Sequence, residues 1–397
     1  MQATPLGAIA ALFLRLGATA FGGPAAHIAL MEDEVVRRRQ WLTRAEFLDL
    51  VGASQLIPGP NSTELAIHVG YARAGWPGLL VAGACFILPA MAIVWLVAWG
   101  YVAYGTLPQV GGLLAGVKPV VLAVVAQALW GFSRTALSSA MTLAVAVTAG
   151  VALVLGVHEF VVLVAAAAIT VLDARLTRGG NLWERPTRMI APPLVVEVSS
   201  AGVAPGAKGL AVSAFAAAIP VAAAFSLGKL FLVFLKAGAL LFGSGYVLLA
   251  FLRTDLVVRL GWLTESQLLD AIAVGQFTPG PVFTTATFVG YVLGGNAGAL
   301  LATVGIFLPA FAFVALTAPV LARLRTDATL RAALDGLNAA SLALMAVVCV
   351  PLAAQAFARP LLAVPLFLAA FVALVHWRVN SAWLVLGGAV VGLLAGG

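Results

Sequence analysis

Pro58-Gly59-Pro60 lies inside an apolar stretch, residues 46–72, that is long enough to enter a membrane. The tripeptide cannot continue a helix, because each proline removes a backbone donor and Pro60 pushes Gly59 off helical angles. The backbone opens there, leaving carbonyls before the break and N–H groups after it without helical partners. Hydrocarbon supplies no substitutes, so such backbone survives only against protein or a polar cavity. The same device recurs at Pro279-Gly280-Pro281, inside residues 267–291, and each copy runs on to a Gly-Tyr pair, Gly70-Tyr71 and Gly290-Tyr291.

The repetition extends well beyond the breaks. Phe13-Leu14-Arg15 matches Phe234-Leu235-Lys236, and Glu34, Arg38, Trp41-Leu42-Thr43 and Asp49 match Asp255, Arg259, Trp262-Leu263-Thr264 and Asp270, all 221 residues apart. After the breaks the offset is 220, as in Leu88-Pro89-Ala90 with Leu308-Pro309-Ala310 and Gly116 with Gly336. Polar and glycine positions agree as well as apolar ones, which marks an internal duplication rather than shared hydropathy. The division that follows is a first repeat over 1–174, a cytoplasmic linker plus one connecting membrane helix over 175–228, and a second repeat over 229–397.

Only 9% of the 397 residues are charged, against about 25% in soluble domains, and 62% are hydrophobic. The expected class is an all-α integral membrane protein, since the apolar runs are near the twenty residues a helix needs to cross. In the first copy they fall near 5–30, 46–72, 77–104, 109–132, 136–156 and 158–174. In the second they fall near 229–251, 267–291, 296–322, 331–352, 355–375 and 379–396, with an extra segment near 209–227 that belongs to neither. The first eleven residues lack the basic region of a signal peptide, so the first segment is expected to stay in the mature chain. The formal net charge of +7 reads as membrane topology rather than nucleic-acid binding, because the arginines sit between apolar runs.

Those arginines carry direction. In the first copy Arg73, Arg134 and the linker residues Arg175, Arg178, Arg185 and Arg188 fall on one side, and the turn at 105–108 on the other is uncharged. In the second copy the turn equivalent to Arg73, at 293–296, is uncharged, and the turn at 323–331 holds Arg323, Arg325 and Arg331. Arginine-rich loops stay inside, so the copies are expected to be inverted, with the N-terminus inside and the C-terminus outside. The loop 31–44 gives two readings. If every segment crosses, Arg37, Arg38, Arg39 and Arg44 lie outside; if the first two segments are broken or re-entrant, the loop stays inside. Arg15 and Gly22-Gly23 in the first segment, and the break in the second, favour incomplete crossings.

Inverted copies with paired helix breaks point to a secondary transporter whose site lies near the midplane and faces an anion. The N–H groups exposed after the breaks belong to Asn61, Ser62 and Thr63, and to Val282, Phe283 and Thr284; helix N-termini bind oxyanions through such donors. Gln55 and Gln276 precede the breaks and either touch substrate or tie down loose carbonyls. Small polar residues also serve as caps and packing surfaces in membranes. Charges inside apolar segments are functional by default, so Arg15, Lys236 and Lys118 are candidates to compensate a dianion, with snorkelling as the alternative. Glu64 and His68, four apart on one helical face, fit a hydrogen-bonded pair or a proton carrier, or a purely structural pair. Cys85 and Cys349 have no metal-type spacing, and no nucleotide or hydrolase motif occurs, so no metal, cofactor or catalytic residue is expected.

Phe21-Gly22-Gly23-Pro24, the Glu34–Trp41 charged loop with Arg38, the run Phe47–Pro60, Gly70-Tyr71 and Leu88-Pro89, with their second-copy counterparts, resemble the signature of the chromate ion transporter family in its long two-domain form. The resemblance spans essentially the whole chain. It implies chromate export from the bacterial cytoplasm across the inner membrane, chromate resistance, and sulfate as the close chemical analogue. The second copy departs at Ser244-Gly245, where the first has Gly23-Pro24. The partners implied are a chromate-like oxyanion and membrane lipid, with a homodimer as a possible assembly and no nucleic acid. The rival readings are another oxyanion transporter on this scaffold and a membrane enzyme acting on a lipid phosphate, for which Glu64 with His68 is the sole candidate.

Overall fold

The computed structural model describes residues 4–21, 23–105, 107–177, 224–242, 245–320, 327–377 and 379–396. They are helical, with no strand among the described residues. The first copy comprises α1 (Leu6–Thr19), α2 (Gly23–Glu32) with a π-helical turn at Asp33–Arg38, α3 (Arg44–Ser54), α4 (Asn61–Tyr104), α5 (Pro108–Ala136), α6 (Ala140–Val154) and α7 (Glu159–Thr177). The second comprises α8 (Leu227–Leu240), α9 (Leu248–Leu252) with a π-helical turn at Arg253–Arg259, α10 (Glu265–Phe277), α11 (Thr285–Thr317), α12 (Ala328–Ala356), α13 (Pro360–Val375) and α14 (Ser381–Gly396). Most of the 175–208 linker and of the 209–227 segment, with Arg178, Arg185, Arg188, Arg323, Arg325, Gly22 and Ser244, lie outside the described residues.

The 44 residues of α4 are a hairpin rather than a single rod. Ala74 and Gly75 leave helical angles, Gly75 at φ +60°, a left-handed conformation that glycine adopts without strain. The short arm before the turn and the long arm after it pack back to back: a Cβ on Gly70 would overlap the carbonyl of Gly78. In α11 the turn is at Gly294 and Gly295, the latter at φ +58°, and Gly290 meets Gly298 in the same way.

One cluster fixes the path of the first seventy residues. Arg73, at the α4 turn, donates to the carbonyl of Trp41 at 2.6 Å and to the Thr4 hydroxyl at 2.9 Å, and Thr4 N–H donates to the Arg73 carbonyl at 3.2 Å. The start of α1, the loop before α3 and the α4 turn therefore share one face of the protein. The 14 residues of α1 reach only about 21 Å, short of the ~30 Å hydrocarbon core. So α1 enters and α2 returns, and α3 enters and the short arm returns. An ion pair of 2.6 Å between Arg15 and Glu34 joins the descending and returning chains. The incomplete-crossing reading holds and loop 31–44 lies on the Arg73 face. The six apolar runs of each copy are not six spans: residues 5–30 and 46–72, and their second-copy equivalents, are pairs of half-helices whose summed apolar length mimics a span.

α3 and α10 begin where local chemistry dictates. Thr43 accepts from Glu46 N–H at 3.2 Å while the Glu46 carboxylate accepts from Thr43 N–H at 2.8 Å, and Thr264 and Gln267 repeat this reciprocal cap. The Thr43 backbone bond holds the Glu46 carboxyl below the usual carboxylate range.

The second copy repeats these contacts upside down. Lys236 pairs with Asp255 at 2.6 Å, as Arg15 does with Glu34, and Phe225 and Trp262 gather beside Gly294. The two long arms run antiparallel: Gly83 meets the Phe311 ring, and Trp95 donates to Asn296 at 3.0 Å. Among the described residues five helices, α4, α5, α7, α11 and α12, are long and apolar enough to cross a membrane. α5 packs on α14 where Gly112 and Gly116 face Gly388 and Gly392, and α12 packs on α7 where Gly336 faces Ala166 and Thr170, the close small-residue contact that joins helices in lipid.

This path is open to labelling. A membrane-impermeant thiol reagent should modify Arg37→Cys from the same face as Arg134→Cys, and Arg359→Cys from the other; all three side chains are exposed. Labelling of Arg37→Cys with Arg359→Cys would mean that the first two segments cross.

Candidate functional site

Glycine is the single donor in each Pro-Gly-Pro, since proline has no N–H. Gly59, at φ +137°, donates to the carbonyl of Leu241 at 2.7 Å. Gly280, at φ +85°, donates to the carbonyl of Ala20 at 2.9 Å. Ala20 and Leu241 cap the C-terminal ends of α1 and α8. Each copy's break thus satisfies an open helix end of the other copy, and the two copies interlock at mid-depth. A Cβ on Gly280 would lie 2.7 Å from both the Ala90 Cβ and the Gly17 carbonyl. Gly280→Ala should therefore destabilise the protein by about 1–3 kcal/mol through strain and overpacking, read as a lower thermal midpoint in detergent.

The breaks open onto one cavity of about 390 Å³. Pro60, Asn61 and Ser62 line it from the first copy, and Pro281, Val282 and Phe283 from the second. Gly23 and Pro24 at the start of α2, and Gly245 at the equivalent start in the second copy, close it, and Gln127, Gly131 and Phe132 of α5 form a wall. Four helix starts meet there. Thr63 and Glu64 N–H groups bond to the Pro60 carbonyl, and Thr284 N–H to that of Pro281, which leaves the N–H groups of Asn61, Ser62, Val282 and Phe283 at the leading edges. Each helix start carries a partial positive charge. No charged side chain is among the lining residues, so the field that favours an anion comes from backbone.

Several expected site residues are elsewhere. Arg15 is held by Glu34 at 2.6 Å, Lys236 by Asp255 at 2.6 Å and Glu159 at 3.4 Å, and Lys118 by Asp270 at 3.3 Å and the Ser266 hydroxyl at 2.6 Å. None of the three lines the cavity. The three cations expected to compensate a dianion are each paired within the protein instead: a cation in the membrane finds a carboxylate, and the fold supplies one to each. Burial pushes the Glu34 carboxyl up, but hydrogen bonds from Arg15 and Arg39 outweigh it and hold the group below the usual range. Gln55 is exposed at the end of α3 and Gln276 is buried in α10; neither borders the cavity. Thr63 is fully buried behind Ser62, and the Thr284 hydroxyl caps the Pro281 carbonyl at 2.8 Å. Of the predicted donors, Asn61 and Ser62, with the backbone of Val282 and Phe283, line the cavity.

Glu64 and His68 are buried, but the two Glu64 oxygens and His68 Nε2 have no hydrogen-bond partner among the described residues. The expected pair does not bond; the Glu64 carboxyl instead abuts Gly59 beneath the first break. Three residues that the sequence reading passed over matter more. His27 is 1% exposed, with Nδ1 3.3 Å from the Ser62 hydroxyl and Nε2 3.1 Å from the Ala20 carbonyl. Gln127 and Gly131 form the α5 wall. A lone polar side chain in an apolar run was the available signal for His27 and Gln127.

A family model described as "Chromate transporter" matches residues 7–171 and again 228–393. The chain is 30% identical over 398 residues to the "Chromate transport protein" of Cupriavidus metallidurans, covering 96% of this chain and 91% of that protein. It is 31% identical over 361 residues to the "Chromate transport protein" of Pseudomonas aeruginosa, covering 86% and 80%. It is 29% identical over 372 residues to the "Probable chromate transport protein" of Synechococcus elongatus, covering 93% and 89%. No solved structure matches it.

Proposed function

The chain belongs to the chromate transporter family, and from that premise we propose that it is a secondary transporter exporting chromate across the bacterial cytoplasmic membrane, with chromate resistance as the consequence. The family is one of membrane transport, not of enzymes, and the lipid-phosphate enzyme reading is dropped. The observation that carries the proposal is the uncharged cavity at which the leading N–H groups of two inverted breaks meet. Backbone donors from opposite faces suit a tetrahedral oxyanion, and inverted halves around one site are the architecture of alternating access. The names of the relatives supply chromate as the substrate.

Orientation follows from charge. Arg37, Arg38, Arg39 and Arg44 share a face with Arg73 and Arg134, and arginine-rich loops stay inside. Expelling a dianion from a negative interior is favoured by about 4.6 kcal/mol at 100 mV, at ~2.3 kcal/mol per charge, so the membrane potential suffices as a driving force. Sulfate, a tetrahedral dianion of similar geometry, is the second substrate this cavity fits. The deciding measurement is labelled chromate flux in proteoliposomes under an imposed potential, with and without sulfate and a pH gradient. Potential-driven flux above that of empty vesicles is expected, and flux equal to theirs rejects the proposal.

A further inference from the structure

His27 is joined to three parts of the site. Its Nε2 lies 3.1 Å from the Ala20 carbonyl, the same carbonyl that accepts Gly280 N–H of the second break at 2.9 Å. Its Nδ1 lies 3.3 Å from Ser62 Oγ, and Ser62 lines the cavity. A carbonyl only accepts, so Nε2 carries a hydrogen. In the neutral ring Nδ1 is then an acceptor, and the Ser62 hydroxyl spends its hydrogen on it, turning lone pairs toward the cavity. That arrangement repels an anion. A proton on Nδ1 reverses the bond: the ring donates to Ser62 Oγ, the hydroxyl hydrogen becomes free for an anion, and a positive charge arrives one side chain behind the cavity wall.

We propose that His27 takes up the proton that accompanies an oxyanion into this cavity, with Ser62 relaying its protonation state to the ligand; this rests on the anion site proposed above. The device is one-sided, since the equivalent positions in the second copy are Leu248 and Phe283. The Phe86 ring stands edge-on to the imidazole, 5.7 Å between centroids. The titratable and charged groups on elements packed against α2 are Arg15 of α1, Arg44, Glu46 and Asp49 of α3, Glu64, His68, Tyr71, Arg73, Cys85, Tyr101 and Tyr104 of α4, and Asp33, Glu34, Arg37 and Arg38 of the π-helical turn, with Arg39 just after it. Both ring nitrogens are already engaged by Ser62 and Ala20, so these groups act on the ring at a distance and not by bonding it.

The test uses sulfate, which stays a dianion where chromate itself takes up a proton. Sulfate affinity of the purified full chain is measured from about pH 8.5 down to 5.5, with proton uptake followed in weak buffer. Affinity should rise by up to about tenfold per pH unit, with about one proton taken up per sulfate at the alkaline end. His27→Gln and His27→Leu should bind weakly with a flat pH profile and no proton uptake. Ser62→Ala should lose most of the gain at low pH. A His27 that only braces the fold would lower affinity equally at every pH, so an unchanged slope in His27→Gln overturns the inference while leaving the anion site standing. Absence of sulfate and chromate binding to the unmodified protein at every pH overturns the anion site and this inference with it.

Discussion

Gly131→Phe abolishes anion flux and leaves the amount of inserted protein unchanged: this is the expected result with the largest functional effect. Gly131 lines the cavity from α5, and a Cβ added there meets no atom within 4 Å. The new ring therefore has open space to enter, at the border of the cavity of about 390 Å³ between the two breaks and the neighbouring one of about 500 Å³ beside Arg134. Replacing a helical glycine also favours the helix, by up to about 1 kcal/mol against alanine and somewhat less for phenylalanine, so loss of flux cannot be laid to loss of fold. Gly387→Phe is the matched control. Gly387 is likewise free of neighbours, but it is exposed on α14 away from the cavity. The measurement is labelled chromate efflux from vesicles holding equal amounts of each variant. Gly131→Phe should fall to the level of empty vesicles and Gly387→Phe should match the unmodified protein. Flux retained by Gly131→Phe would place the anion path somewhere other than this cavity.

The cavity was legible in part, and the division follows the physics. Pro-Gly-Pro announces a helix break in any context, because missing donors and forced angles are local properties. The duplication and the reversal of arginine bias are likewise written along the chain, and the hairpins follow from them once Arg73 is seen holding Thr4 and Trp41. Even the disputed loop carried its answer, since Arg37, Arg38, Arg39 and Arg44 have the sign of the Arg73 face. What could not be read was which groups meet across long separations. Arg15 and Lys236 look alike as cations stranded in apolar runs, and nothing local says that Glu34 and Asp255 return beside them. Glu159 reaches Lys236 from the other copy, 77 residues away. His27 stands in the sequence as a lone polar residue, and only the fold brings Ser62 and Ala20 to its two nitrogens.

Lys236→Met should be more destabilising than Arg15→Met, and it separates structural from substrate-binding cations. Lys236 and Arg259 share two carboxylates: Asp255, at 2.6 Å from the lysine and 3.0 Å from the arginine, and Glu159, at 3.4 Å and 2.6 Å. The carboxylate side chains are only 8% and 4% exposed. Removing the lysine leaves two buried negative charges with one cation, and breaking a buried pair in this way costs about 3 kcal/mol or more. Arg15→Met should cost less, about 1 kcal/mol, because Arg15 is 48% exposed and Glu34 keeps both Arg38 and Arg39 at 3.2 Å. Lys236→Met with Asp255→Asn removes the stranded charge along with its partner and should recover most of the loss. Thermal midpoints in detergent read the stability term, and flux per inserted molecule reads the functional one. Lower midpoints with flux per molecule retained are expected, because the lysine stands outside the cavity. A normal midpoint with flux abolished would return Lys236 to the anion itself and remove the backbone-only site from consideration.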